Sequence, residues 1–344
     1  MKKIEISKHR SLVALVVIGL TACGSPEQSE SSAYASDSDS APIETHDGGI
    51  VLNAQTSDAD AHAPDSAAEA SNAQPKASGC ITKVAAGHHS FSCDGLTYEV
   101  EVPIACAKGG CGAVLDIHGA GMTAADQDMG THQRALGRKY GYVVVQPQAP
   151  GAWPLWDQSK HIPMLYTTMR DIVIAYAIDK KRVHNVGFSM GGGMTWRMLC
   201  THADFFASFA LIAAAPGCEF KGTNVPSREV PVLQMHGHKD TLMNFTLVAM
   251  SERNDAFRYW QMGDNKKFLE RDADYQATTY STKSGTEYQF WEHHYEAGSV
   301  ITGGHCFPGG SDRGTKWTQF GCEDADAFVA GEKVMRFFID HPMK

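Results

Sequence analysis

The chain has 344 residues and a formal net charge of −9, with 20% charged and 43% hydrophobic residues. The negative charge is concentrated in residues 24–79, where ten acids stand against the base Lys76, so residues 80–344 are nearly neutral. No basic patch stands out, which excludes nucleic acid as an expected partner.

The first 22 residues have the pattern of a secretory signal peptide. Basic residues precede the apolar run at 12–20, which is about half the length of a membrane-spanning helix. The run ends in LTAC, which resembles a bacterial lipobox whose cysteine, here Cys23, is lipidated and becomes the mature N-terminus. The pattern predicts export and a lipid anchor in a membrane, with the protein in the periplasm or at the cell surface. A transmembrane anchor is the alternative.

The composition then divides the rest of the chain in two. Residues 23–79 carry the lipidated cysteine and a stretch rich in Ser, Ala and Asp, a composition typical of a disordered, solvated linker. Residues 80–344 are long enough for one large α/β domain.

Nine cysteines are present, and without Cys23 an even number remains in a chain predicted to be exported. That count favours disulfides, with free buried thiols as the alternative. Many pairings are open from sequence alone, but proximity favours Cys80–Cys93, Cys106–Cys111, Cys200–Cys218 and Cys306–Cys322. The sequence contains no C-x-x-C pair, so it gives no support for a zinc ribbon.

Predicted strands alternate with predicted helices along the domain. The strands are 95–102, which resembles an edge strand, then 113–117, 142–146, 183–188 and 231–235. The helices are 126–140, 167–178, 190–201, a region near 247–260, and 324–339. This alternation predicts an α/β fold with a mostly parallel central sheet flanked by helices. Functional groups in such folds gather beyond the carboxyl ends of the strands.

The segment Gly187-Phe-Ser189-Met-Gly191 follows a predicted strand and precedes a predicted helix. A G-x-S-x-G pattern in this context is typical of a sharp turn that exposes a nucleophilic serine, and the flanking glycines avoid collisions across the turn. The backbone N–H of Met190, the next residue, is then expected to stabilise an oxyanion. A glycine-rich turn with an idle serine is the alternative.

A serine nucleophile needs a base and an orienting acid, which follow it along the chain in this order: serine, acid, histidine. Asp240 comes directly after the predicted strand 231–235, so its carboxylate is expected at the same rim. The other acids lie in polar or helical stretches without a preceding buried strand: Asp255, Asp264, Asp272 and Asp274. A capping or surface role for Asp240 is the alternative.

His305 is the predicted base, because the glycines on both sides of it form a loop that can bring a ring into a crowded site. His293 and His294 are adjacent and are predicted to be structural or solvated. Two further histidines precede the main sheet and the serine: His88 and His89.

The second oxyanion donor is expected in the loop after strand 113–117, from the backbone N–H of Ala120, with Gly121 as the next choice. His118 is predicted to orient that loop, or to be an ordinary buried histidine. Aromatic residues near the rim are candidates for substrate contacts, with core packing as the alternative: Trp153, Trp156 and Phe307.

Several of these motifs, together and in this order, resemble the extracellular poly(3-hydroxybutyrate) depolymerase-like and feruloyl esterase-like branch of α/β-hydrolases: HGAG at 118–121, GFSMGGGM at 187–194, HGHKD at 236–240 and GGHCFPGG at 303–310. The resemblance implies an α/β-hydrolase fold and a triad of Ser189, Asp240 and His305. It also implies a Cys200–Cys218 bridge.

The sequence therefore predicts a serine carboxylester hydrolase acting through an acyl-enzyme on small-molecule or oligomeric esters, with no cofactor or metal. One alternative is a non-catalytic surface-binding lipoprotein that keeps the fold. Another is a metal-dependent hydrolase using His236, His238 and Asp240, although Thr241 stands where a further histidine would be expected.

Overall fold

The computed structural model describes residues 74–263, 265–297, 302–310, 320–323 and 327–344. The predicted signal peptide, Cys23 and most of the predicted linker lie outside these residues. Across the described ranges, no helix is both long enough and apolar enough to span a bilayer.

The end of the predicted linker belongs to the domain. The Lys76 N–H donates to the Ala175 carbonyl at 2.8 Å, and Ser78 pairs with Ile81. Contacts with the domain therefore begin before the predicted boundary at residue 80.

One ten-stranded sheet runs through the described residues in the order β1-β2-β4-β3-β5-β6-β7-β10-β9-β8. The six neighbouring strands β4-β3-β5-β6-β7-β10 are parallel to one another. Two antiparallel strands extend the sheet at each edge. The strands are β1 (Gly87–Cys93), β2 (Leu96–Val102), β3 (Gly112–Ile117), β4 (Tyr142–Gln148), β5 (Val183–Phe188), β6 (Ser208–Ile212), β7 (Val232–Gly237), β8 (Lys267–Arg271), β9 (Tyr275–Ser281) and β10 (Glu287–His293).

Six α-helices occur in the described ranges, and several of them differ from the predicted bounds. They are α1 (Ala124–Thr131), α2 (Gln133–Tyr140), α3 (Gln158–Ala175), α4 (Met190–His202), α5 (Met250–Trp260) and α6 (Ala330–Asp340). The predicted helix 126–140 is two helices, because His132 has a left-handed φ of 55°. The predicted edge strand is β2, which is not an edge because β1 pairs outside it.

The helices cover both faces of the sheet. Apolar residues of α3, α4 and α5 pack in one core cluster, and those of α2 and α6 pack in another. The strands β3, β5, β6 and β7 are buried along their whole length, as parallel strands covered on both faces must be. This three-layer arrangement is the expected α/β-hydrolase fold.

Four disulfides join the eight cysteines of the domain: Cys80–Cys93, Cys106–Cys111, Cys200–Cys218 and Cys306–Cys322. Each is a pair that proximity favours. Disulfides persist in oxidising compartments, so this set fits an exported protein.

Candidate active site

Ser189 occupies the turn between β5 and α4. Its backbone is strained, with φ at 54° and ψ at −119°. The Ser189 N–H donates to the Ile212 carbonyl at 2.9 Å, and the Ser189 carbonyl accepts from Ala215 at 2.8 Å and Gly193 at 3.1 Å. Backbone hydrogen bonds to nearby segments of the same chain therefore hold the strained conformation of Ser189 in place.

The two glycines that flank this turn are required by close backbone contacts. A Cβ atom on Gly187 would lie 2.2 Å from the Gly191 carbonyl oxygen. A Cβ atom on Gly191 would lie 2.1 Å from the Ile117 carbonyl oxygen at the end of β3. Neither distance admits a side chain, which explains the glycine spacing around the serine in physical terms.

The loop after β3 lies against the serine. A Cβ atom on Gly119 would be 3.2 Å from the Ser189 Cβ. The Gly121 N–H already donates to the Pro154 carbonyl at 2.8 Å, whereas no partner of the Ala120 N–H occurs among the described residues. Ala120 is therefore better suited than Gly121 to donate to a developing oxyanion, together with Met190 at the first position of α4.

His118 and Trp156 hold this loop in place by buried hydrogen bonds. The His118 Nε2 accepts from the Ala149 N–H at 3.1 Å, so its Nδ1 carries the proton and donates to the Gly119 carbonyl at 2.6 Å. Burial lowers the pKa of His118 to about 4, which keeps the ring neutral and Nε2 free to accept. The Trp156 indole N–H donates to the His118 carbonyl at 2.8 Å.

Asp240 and His305 form a buried pair. The His305 Nδ1 lies 2.7 Å from Asp240 Oδ2, and the carboxylate also accepts the backbone N–H groups of Leu242 at 2.9 Å and Met243 at 2.7 Å. Burial alone would raise the pKa of Asp240, but hydrogen bonds from His236 and His305 outweigh it and hold that pKa well below its usual range. The carboxylate is therefore ionised and fixed in orientation.

The other nitrogen of His305 is open. Its Nε2 is buried and has no hydrogen-bond partner among the described residues. The imidazole packs against Phe188, the residue before Ser189, with ring centroids 4.9 Å apart. No hydrogen bond between Ser189 and His305 occurs within the described ranges, so the structure joins the acid to the imidazole and leaves an unpaired nitrogen beside the serine turn.

The His305 loop is tied to the loop that carries Asp240. The Gly304 N–H donates to the Lys239 carbonyl at 2.8 Å, and Gly303 bridges to Asp240. Gly303 has a left-handed φ of 52° that favours glycine. On the other side, the Cys306–Cys322 disulfide holds the residue next to His305.

The two histidines of the metal-dependent alternative also bind other groups of the protein. The His236 Nε2 lies 2.6 Å from the Met243 carbonyl oxygen, while His238 pairs with Glu292 at 3.3 Å and stacks on His294. In the part of the chain that the structure describes, no cluster of three or more His, Cys, Asp or Glu residues could hold a metal ion.

The expected substrate contacts of Trp156 and Phe307 are not supported by their positions. Trp156 is 7% exposed and Phe307 is 1% exposed. Trp156 supports the loop after β3, and Phe307 stacks on Phe188 with centroids 4.1 Å apart. Both are packing residues because tertiary neighbours cover them, which the sequence positions alone do not reveal.

Trp153, in contrast, is 55% exposed and lies beside Gly121. It lines a cleft of 740 Å³ that borders the loop after β3. Polar side chains from separate elements complete the lining, among them Thr97, Thr123 and Asp126. Sequence reasoning missed these three residues because they come together only in the fold.

No family model matches the chain. Comparison with known proteins finds relatives that are similar to part of it. It is 30% identical over 157 residues, 44% of this chain, to a bifunctional acetylxylan esterase/xylanase of Neocallimastix patriciarum. It is 28% identical over 124 residues, 33% of this chain, to a probable acetylxylan esterase A of Aspergillus fumigatus. It is 30% identical over 122 residues, 30% of this chain, to a poly(3-hydroxybutyrate) depolymerase of Ralstonia pickettii.

These matches span 23%, 33% and 25% of the three relatives' own lengths, so the chain covers a third or less of each. The relatives are named as esterases and a depolymerase, which agrees with the strand–serine–helix turn and the sheet topology of this chain. The chain has the α/β-hydrolase fold, and parts of its sequence are similar to acetylxylan esterases and to a poly(3-hydroxybutyrate) depolymerase.

Proposed function

We propose that the protein is a serine carboxylester hydrolase with Ser189 as nucleophile, His305 as base and Asp240 as orienting acid. The observation that carries the proposal is the buried Asp240–His305 hydrogen bond of 2.7 Å, with the unpaired His305 Nε2 beside the strained serine turn. Catalytic hydrogen bonds of ligand-free enzymes are often long and tighten when substrate binds. The serine–histidine contact is therefore expected to form in the complex with an ester.

The proposed reaction has two halves. His305 Nε2 takes the Ser189 proton as Oγ attacks the ester carbonyl, and the Ala120 and Met190 N–H groups stabilise the oxyanion. The imidazolium then gives its proton to the leaving alcohol, which leaves an acyl-serine. Water, deprotonated by the same nitrogen, attacks this acyl group and releases the acid and the free serine.

A fluorophosphonate probe tests this assignment directly. The purified protein should react stoichiometrically, and mass spectrometry of the digest should locate the phosphonyl group on the peptide that contains Ser189. Label on another residue, or ester turnover by a protein that the probe does not label, would contradict the proposal.

For the substrate, we propose an ester carried by a carbohydrate. Two of the relatives are named as acetylxylan esterases, and the cleft beside the loop after β3 offers an exposed indole and hydroxyl groups. Sugars bind such surfaces by stacking on aromatic rings and by hydrogen bonds to hydroxyls. A polyester would use the same triad without needing the hydrogen-bonding lining.

Replacing Trp153 with alanine should raise KM for acetylated xylo-oligosaccharides about tenfold, since an aromatic contact is worth about 1.5 kcal/mol. The kcat for p-nitrophenyl acetate should stay within about twofold, because that small ester does not reach the cleft. Steady-state kinetics on both substrates measures the contrast.

Phe268→Ala is the matched control, because Phe268 is a similarly exposed aromatic on the edge strand β8. It should leave both KM values unchanged. Equal losses on both substrates in the Trp153 variant, or turnover of hydroxybutyrate oligomers in preference to acetylated xylan, would refute the carbohydrate proposal.

The disulfides fit an exported protein. Attachment to a membrane through a lipid on Cys23 rests on the lipobox alone and stays a prediction.

A further inference from the structure

Asp240 contacts a second histidine in addition to His305. His236, in β7, is fully buried, and its Nε2 lies 3.2 Å from Asp240 Oδ2. The same nitrogen lies 2.6 Å from the carbonyl oxygen of Met243. Both neighbours are acceptors, so the Nε2 of His236 must carry the proton and donate.

The contacts around the Asp240 carboxylate are divided between its two oxygens. Oδ1 accepts two backbone N–H groups from the residues that follow in the loop. Oδ2 faces two imidazoles, His305 at 2.7 Å and His236 at 3.2 Å. The backbone donors fix one oxygen. The Nε2–H of His236, shared between the Met243 carbonyl at 2.6 Å and Oδ2 at 3.2 Å, is a second side-chain contact of the oxygen that faces His305.

We propose that His236 is a positioning residue of the active site, which acts through Asp240 by holding Oδ2 against the Nδ1–H of His305. The inference rests on the proposed function of the Asp240–His305 pair. His236 touches neither substrate nor the serine in this scheme. Its effect on the reaction comes from the orientation and charge of the acid alone.

Other titratable groups lie near His236 and Asp240, and the experiment has to distinguish their effects from the effect of His236. His293 of β10 is fully buried, and burial together with His236 lowers its pKa to about 3, so it stays neutral. His238 is in the same loop as Asp240 but pairs with Glu292 and stacks on His294. His238 therefore offers a matched control that leaves the Asp240 contacts intact.

The test compares His236→Phe, His236→Gln and His238→Gln in steady-state ester hydrolysis. The phenylalanine removes the donor and should lower kcat about 10- to 100-fold with KM within about twofold, because a hydrogen bond to a charged group is lost. The glutamine keeps an N–H near the Nε2 position and should recover most of that loss. His238→Gln should behave as wild type.

The pH profile distinguishes positioning from a structural role. Without the His236 donor, more negative charge remains on Oδ2 and stabilises the imidazolium of His305, so the acid limb of kcat/KM should move to higher pH in His236→Phe alone. Equal kcat losses in the Phe and Gln variants with an unmoved limb, or wild-type kcat in His236→Phe, would overturn the inference.

Two further measurements keep the outcome interpretable. If His236→Phe does not fold, His236→Asn, whose amide is too short to reach Oδ2, replaces it and should show the same kcat loss and the same shift of the acid limb. Fluorophosphonate labelling of wild-type Ser189 is measured in parallel. Absent labelling refutes the proposed function itself, whereas normal labelling with an unaffected His236 variant refutes this inference only.

Discussion

Ser189→Ala should lower kcat for p-nitrophenyl butyrate by about 10⁴- to 10⁶-fold while the protein keeps its fold. The reason is that the proposed acyl-enzyme cannot form without Oγ, whereas the proposed backbone donors, Ala120 and Met190, would still stabilise attack by water. Alanine adds no atom to the turn, so the strained backbone at this position is not further crowded.

Circular dichroism and thermal unfolding of the alanine variant confirm that the fold is kept, and initial rates give kcat. Ser90→Ala is the matched control, because the Ser90 hydroxyl donates to Glu99 between β1 and β2, and the loss of this bond should leave kcat unchanged. A Ser189→Ala enzyme that retains more than about a tenth of wild-type kcat would mean that another group performs the chemistry.

Gly191→Ala should destabilise the protein by about 3 kcal/mol or more and abolish most of the activity that remains in folded protein. Its new methyl group would lie 2.1 Å from the Ile117 carbonyl oxygen and 2.5 Å from that of His118. Both are backbone atoms, so relief requires the start of α4 to move away from the end of β3. That movement would separate the Met190 N–H from the Ala120 N–H.

Urea unfolding measures the loss of stability, and kcat/KM of the folded fraction measures the damage to the site. Gly263→Ala is the matched control, since Asn265 Nδ2, the nearest atom beyond its chain neighbours among the described residues, lies 3.8 Å from the added Cβ. Similar unfolding free energies for the two glycine variants would contradict the clash at the serine turn.

The sequence predicts those features that depend on short-range spacing. The glycines around Ser189 follow from backbone contacts within one turn, and Asp240 follows a strand whose apolar residues already mark it as buried. His305 could be chosen because glycines surround it and chain order restricts the base to residues after Asp240. The structure brings Asp240 and His305 into contact, as their expected roles require.

What the sequence does not predict depends on tertiary packing. The strands β8, β9 and β10 carry mixed polar residues without strict alternation, and β6 has only five residues. Aromatic type alone does not distinguish the exposed Trp153 from the buried Trp156. The contact of His236 with Asp240 arises because the chain turns back after β7, which no local pattern encodes.

The disulfide between Cys306 and Cys322 links the proposed activity to the redox state of the compartment. Because it anchors the neighbour of the proposed base, a chain in a reducing compartment would lack one of the restraints on the His305 loop. The proposed activity is then expected to increase when this bond forms. Recombinant material made without this bond is expected to hydrolyse esters more slowly than the oxidised protein.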